Sequence, residues 1–182
     1  MNSEQKLLMR ARELDEQALA EIYDGYNAEL FRYALRTLGN EDLAEECVAE
    51  TFSRFLHVLN KGGGPTQYLR AYLYRIAHNW VTDQYRRLPQ EERLLQEETI
   101  DHSSDDPHQA VAQGMARQEL RLALQKLTPD QRQVITLKYL EGWKNDEIAR
   151  ALNKPIGAVK SLQHRGLHAL RRNFGNEVQE QV

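Results

Sequence analysis

Residues 157–172, GAVKSLQHRGLHALRR, carry the clearest chemistry in the chain. At about 100° per residue, Lys160, Ser161, His164, Arg165, His168, Arg171 and Arg172 fall on one side of a helix. Val159, Leu162, Gly166, Ala169 and Leu170 fall on the other. The first face holds cations and hydrogen-bond donors with no acid to neutralise them. Such a face suits a DNA major groove, where Arg and Lys reach guanine edges and phosphates. A solvated amphipathic surface helix shares the pattern, so the face alone does not decide between them. His164 and His168 stand at i, i+4, a spacing that can hold a metal. No acid or Cys ligand lies nearby, and no metal site is expected.

A second candidate face lies in YLRAYLYRIAHNWVTDQYRR, residues 68–87. Leu69, Leu73, Ile76, Ala77 and Trp80 form an apolar stripe. Arg70, Tyr74, Arg75, His78, Thr82, Tyr85 and Arg86 point elsewhere, with Asn79 and Arg87 completing the polar set. Bases interleaved with aromatics suit unpaired nucleotides, which stack on rings while arginine meets phosphate. Tyr72 and Trp80 fit core packing better. Asp83 falls on the apolar side, so burial and an Arg partner are expected for it. A third face, on residues 41–59, shows Glu46, Glu50, Ser53, Arg54 and His57 opposite Val48, Phe52, Phe55 and Leu59. Its charges are either an i, i+4 surface series or a docking face for a basic partner, and spacing leaves both open. Cys47 sits near the edge of that face.

Several classes are excluded by what is missing. No nucleophile–base pair or metal constellation is present, and KGGGPT (61–66) lacks the Lys-Ser/Thr of a phosphate-binding loop, so neither an enzyme nor a cofactor is expected. With Cys47 the single cysteine, no internal disulfide can form. The N-terminus has no apolar signal-peptide core and no run approaches a membrane span, so a cytoplasmic protein without membrane insertion is expected. The chain has 27 acids against 24 Lys and Arg. A generic nucleic-acid binder is usually basic, so the local charge distribution carries the argument.

The elements that must position these faces are helical, and the fold class expected is all-α, with two small helical domains joined by an acidic flexible linker. Leu14, Ala18, Ile22, Tyr26, Leu30 and Ala34 recur at helical spacing until Gly39-Asn40, where Asn40 can cap the next helix. Helices over 41–59 and 67–87 follow, separated by the Gly-rich break 61–67. Residues 88–113 hold seven acids and one base, Arg93. They read as a linker, either a solvated spacer or an acidic strand that occupies a basic channel in a partner. A helix over 115–127 precedes Thr128-Pro129-Asp130-Gln131, which matches a capping box. Helix 129–140 ends at Glu141-Gly142. A short helix over 145–152, with Asn145 as its cap, leads through the turn Asn153-Lys154-Pro155 into the basic helix. Helix, tight turn, helix is the helix-turn-helix arrangement. The expected divisions are 14–87, 88–114 and 115–173.

Taken together, three stretches resemble the bacterial sigma factors of the extracytoplasmic-function type. DLAEECVAETFSRFL (42–56) is similar to the family's core-polymerase-binding segment. LRAYLYRIAHNWVTDQYRR (69–87) is similar to its −10-reading segment, and LTPDQRQVITLKYLEGWKNDEIARALNKPIGAVKSLQHRGLHALRR (127–172) to its −35-reading domain. The resemblance implies a promoter-recognition subunit with core RNA polymerase (clamp coiled coil and flap), promoter DNA and an anti-sigma factor as partners. It implies that Glu46 and Glu50 lie on the face docking the clamp coiled coil. The loop near 60–67 would capture a flipped promoter base, and the linker would thread toward the polymerase cleft. The alternative is an operator-binding helix-turn-helix regulator with an N-terminal sensing domain. Such a regulator has no need of the aromatic–basic face on 68–87.

Overall fold

The computed structural model describes residues 2–87 and 118–177. The expected linker 88–114 and the start of the helix expected over 115–127 lie outside them. Every regular element among the described residues is helical: α1 (Ser3–Arg12), α2 (Glu16–Leu38), α3 (Glu41–Asn60), α4 (Leu69–Arg87), α5 (118–125), α6 (Pro129–Ile135), α7 (Asn145–Leu152) and α8 (Ile156–Glu177). A π-helical turn, Thr136–Leu140, extends α6.

The caps explain the boundaries. Gly39 ends α2 in the left-handed region at φ +72°, and Asn40 accepts from the Leu43 N–H to start α3. Thr128 and Gln131 form the reciprocal capping box at the start of α6. Asn153 closes α7 at φ +52°, a conformation Asn tolerates at little cost. Two local expectations are corrected. Asn145 is the first helical residue of α7, with Lys144 at the cap position, because the Asn145 amide is engaged elsewhere. Leu14 is not on the α2 stripe. It turns the chain between α1 and α2 at φ +59° and is exposed.

Helix α1 was not foreseen. Its N-terminus carries a capping box, Asn2 with Gln5, and it buries Leu8 and Ala11. It also starts another helix: the Glu4 carboxylate accepts from the backbone N–H of Tyr68 (3.3 Å) and of Leu69 (2.9 Å). These N–H groups belong to the beginning of α4, which would otherwise leave its first donors unpaired.

The two halves share one continuous core. Leu30, Leu38, Phe55, Leu73 and Val81 from the N-terminal half join Val134, Leu137, Trp143, Ile148 and Leu152 from the C-terminal half. Helix α4 packs on α7 as extensively as on α3. A smaller cluster, Leu124, Leu127 and Ile135, sits under α8.

Candidate nucleic-acid interface

Helix α8 presents its basic face to solvent. Lys160, Ser161, His164, Arg165, His168, Arg171 and Arg172 are all exposed, while Val159, Leu162 and Gly166 are buried. Gly166 lets the helices meet closely, since a Cβ there would lie 2.9 Å from Ile135 Cγ1. Gln163, a polar residue of the same helix, is buried. Its Nε2 donates to Asn145 Oδ1 at 2.8 Å, and the Asn145 amide donates back at 3.5 Å. This paired amide bridge fixes the crossing of α7 and α8. The ion pair of Lys154 and Asp130 at 3.0 Å ties the intervening turn to α6.

The α4 face is different, and here the expectation of an open surface is corrected. Tyr74 and His78 are buried, and so is Tyr85. Their cover is α6, α7 and Trp143 in the loop between the π-helical turn and α7. Tyr74 packs between Tyr33 (ring centroids 5.2 Å apart) and Trp143 (4.5 Å). Burial raises the Tyr74 hydroxyl well above its ordinary range. Arg70 lies 4.3 Å over the Trp143 ring and pairs with Glu29 at 3.0 Å. Arg75 donates to the Arg150 carbonyl at 2.6 Å. Burial lowers His78 to about 4, a shift that Asp130 opposes and Lys154 reinforces. The sequence misled because α4 has two covered sides, one against α3 and one against α7, and a stripe count recognises only one. Asn79, Arg86 and Arg87 remain exposed. Asp83 is not buried: its side chain is 48% exposed and pairs with Arg86 at 3.8 Å.

The seam between the halves is stitched by charge as well as rings. Arg132 donates to the carbonyl of Thr37 (2.9 Å), to the Tyr85 hydroxyl, and to the carbonyls of Leu124, Gln125 and Leu127. Arg36 pairs with Glu141. Gln133 donates to Thr82 Oγ1 at 3.3 Å. Yet several buried atoms there find no hydrogen-bond partner among the described residues: Tyr74 Oη, Arg75 Nε, His78 Nδ1, Gln133 Oε1, Thr136 Oγ1 and Trp143 Nε1.

On α3, Glu46, Ser53, Arg54 and His57 are exposed and Glu50 is half-buried, with Glu50 and Arg54 paired at 2.6 Å. Between α3 and α4 runs an open groove of about 410 Å³, walled in part by Ser53, His57, Tyr72, Ile76 and Asn79. Cys47, expected at the edge of this face, is fully buried, and burial pushes its thiol up to about 12. No cluster of His, Cys, Asp and Glu able to hold a metal occurs among the described residues. Nor is any helix among them long and apolar enough to cross a membrane.

The Sigma-70 region 2 family matches residues 22–89, and the Sigma-70, region 4 family matches residues 117–170. The chain is 30% identical to the ECF RNA polymerase sigma factor SigW of Bacillus subtilis, over 93% of this chain and 95% of SigW. It is 29% identical to the ECF RNA polymerase sigma factor BldN of Streptomyces coelicolor, over 92% of this chain and 64% of BldN. The fold is that of CnrH, solved in complex with the cytosolic domain of CnrY (TM-score 0.73, 22% identity, 96% of this chain and 99% of that one). Helix α4 thus lies in a region 2 match and α8 in a region 4 match, in the order SigW shares almost end to end, and the chain belongs to the ECF family of RNA polymerase sigma factors.

Proposed function

We propose that the chain is the promoter-specificity subunit of RNA polymerase and that the structure is its closed, resting form. A single observation carries the second part. Tyr74, His78 and Tyr85, at the centre of the α4 face suited to an unwound −10 strand, are sealed against region 4, whereas the α8 face suited to a −35 duplex is open. A sigma factor in this state has one of its two promoter contacts blocked, so core polymerase must part the regions before both elements are read.

In this reading residues 14–87 form the core-binding and −10 unit, 88–114 the linker, and 115–173 the −35 unit. Glu46, Glu50, Ser53, Arg54 and His57 dock the clamp coiled coil, and the flap of the polymerase engages region 4. Arg70, Tyr74, Arg75, His78, Asn79, Arg86 and Arg87 meet the −10 strand after opening. The groove between α3 and α4, with the Tyr72 ring and the Asn79 amide on its walls, suits an unpaired base beside the 60–67 loop. Lys160, Ser161, His164, Arg165, His168, Arg171 and Arg172 read the −35 element. The protein acts in the cytoplasm as an initiation factor and leaves catalysis to the polymerase. An anti-sigma factor is a further expected partner, since RpoE was solved in complex with the anti-sigma factor NepR.

Runoff transcription with purified core polymerase on a pooled promoter library tests the reading. Protein-dependent transcripts sharing two spaced upstream elements are expected. No transcripts, together with no binding to core, overturns it in favour of an operator-binding regulator.

A further inference from the structure

Helix α1 lies ahead of residues 22–89, the stretch that matches region 2, so neither family match gives it a task. It runs beside the loop that joins α3 to α4, and each end of the helix holds one end of that loop. At the N-terminal end the Glu4 carboxylate accepts from the Tyr68 N–H at 3.3 Å and from the Leu69 N–H at 2.9 Å. At the C-terminal end the Arg12 guanidinium donates to the Gly62 carbonyl at 3.4 Å. Between these ties α1 and the loop share an open groove of about 420 Å³, with Leu8 and Met9 on one side and Thr66 on the other.

The loop has need of such ties. Its first residues lean on α3, where the Gly62 N–H donates to the Leu59 carbonyl at 2.8 Å and the Gly63 N–H to the Val58 carbonyl at 3.0 Å. Past the buried Pro65, the residues Thr66, Gln67 and Tyr68 are exposed. Gly62 and Gly64 stand at φ +74° and +105°, and Tyr68 at +57°. Glycines leave a loop many alternative paths. A bulky residue in the left-handed region persists only where its surroundings enforce it. The Glu4 carboxylate enforces it here, because it engages the N–H groups on both sides of the Tyr68 Cα. The closed form adds one more contact, the Arg150 guanidinium 4.5 Å over the Tyr68 ring. Arg150 belongs to region 4 and leaves with it. Helix α1 packs on α2 and α3 and buries Leu8 and Ala11, so it stays with region 2 when the regions part.

We propose that α1 is the positioning element of the 61–68 loop: Glu4 and Arg12 hold the loop in the shape in which it meets the −10 strand, and continue to do so after region 4 has left. Neither side chain has to touch DNA. The inference rests on the reading of that loop as the place where an unpaired −10 base is taken up. It goes beyond that reading by giving a part in promoter specificity to a helix outside the matched regions.

The test uses holoenzyme assembled from the full chain and core polymerase. Runoff transcription is measured on promoters that carry each base in turn at every position of the −10 and −35 elements. Arg12 is exposed, so Arg12→Ala leaves the fold intact. Arg12→Ala and Glu4→Gln should each narrow the preference for the favoured −10 base. The double variant should narrow it about fivefold, the low end of what one good base contact discriminates. Preferences within the −35 element and affinity for core should not change. Arg12→Lys keeps a donor for the Gly62 carbonyl and should retain the wild-type preference. A merely structural loss lowers output on every template alike and leaves the preference intact. That result overturns the inference, as does equal narrowing at both elements. Thr66→Ala/Gln67→Ala alters the loop and not α1. If it changes the −10 preference and the α1 variants do not, the role of α1 falls and the loop reading stands. If neither set changes it, the loop reading itself falls.

Discussion

Arg132 of region 4 donates a hydrogen bond to the main-chain oxygen of Thr37 in region 2, at 2.9 Å, with both groups buried. Thr37 sits in the last turn of α2, where carbonyls point out of the helix and carry its negative end. The same guanidinium lies 4.8 Å over the Tyr85 ring. One side chain thus joins the end of α2, the end of α4 and the entry to α6.

Replacing Arg132 with Leu should destabilise the protein by about 3 kcal/mol, because several buried carbonyls lose their donor at once. Urea unfolding at neutral pH measures this. A loss under about 1 kcal/mol would mean that the seam does not depend on Arg132.

His78 gives the closed form a pH limit. Buried at about 4 against an ordinary value near 6.5, it is held neutral, and protonation favours any state that exposes it. Its effect on stability is therefore absent above about pH 6.5. As pH falls from there toward 4, stability is lost with a slope approaching about 1.4 kcal/mol per unit. The difference in unfolding free energy between the wild type and His78→Gln, followed over pH 7 to 4.5, should show this slope. A constant difference would contradict it.

Glu4→Gln should cost about 1 kcal/mol, because a neutral amide oxygen caps the start of α4 less well than a carboxylate does. Hydrogen exchange of the Leu69 and Arg70 amides would report fraying directly, and unchanged protection would remove the cap from the account.

Gly166→Ala places a Cβ 2.9 Å from Ile135 Cγ1, close to the branch point of a buried side chain. Overpacking of about 2 kcal/mol exceeds the gain of about 1 kcal/mol in helix propensity, so a net loss is expected. Unfolding of the full chain tests the sign. A more stable variant would mean that α8 moves aside easily.

Arg165→Ala should reduce promoter-dependent transcription at least tenfold, on the scale of one lost base or phosphate contact, while leaving affinity for core polymerase unchanged. Glu50→Lys should do the reverse: affinity for core falls, and duplex binding by the free chain is retained. Equal loss of both activities in either variant would sink the division of labour between α3 and α8.

Much of this was legible in the sequence because the signals were local. Gly39, Asn40, Thr128 and Asn153 each act within a few residues, and the helices begin and end where these caps require. The α8 face was legible because, among the described residues, its side chains are exposed and the hydrogen bonds of Ser161 and Arg165 stay within the helix. What failed were positions decided by distant elements. Tyr74 and His78 look like surface residues until Trp143 and the rest of region 4 are laid over them. Glu4 caps a helix more than sixty residues away, a pairing that no short-range pattern encodes. Cys47 was misplaced by a marginal angle on the α3 wheel, and its burial beside Ala77 required the packing of α3 on α4.

The polar atoms left without partners along the seam bear on how the two forms are populated. Each of Tyr74 Oη, Arg75 Nε, His78 Nδ1 and Trp143 Nε1 regains hydration when the regions part. Those unpaired groups therefore offset part of what the stacked rings and the ion pair of Arg36 and Glu141 contribute to the closed form. A partner that binds only the open form has an apparent affinity scaled by the open fraction. Substitutions confined to the seam would then change competition for polymerase without altering any residue that touches polymerase or DNA. Satisfying those atoms would slow the switch to initiation, and stripping more of them would leave the factor open at rest.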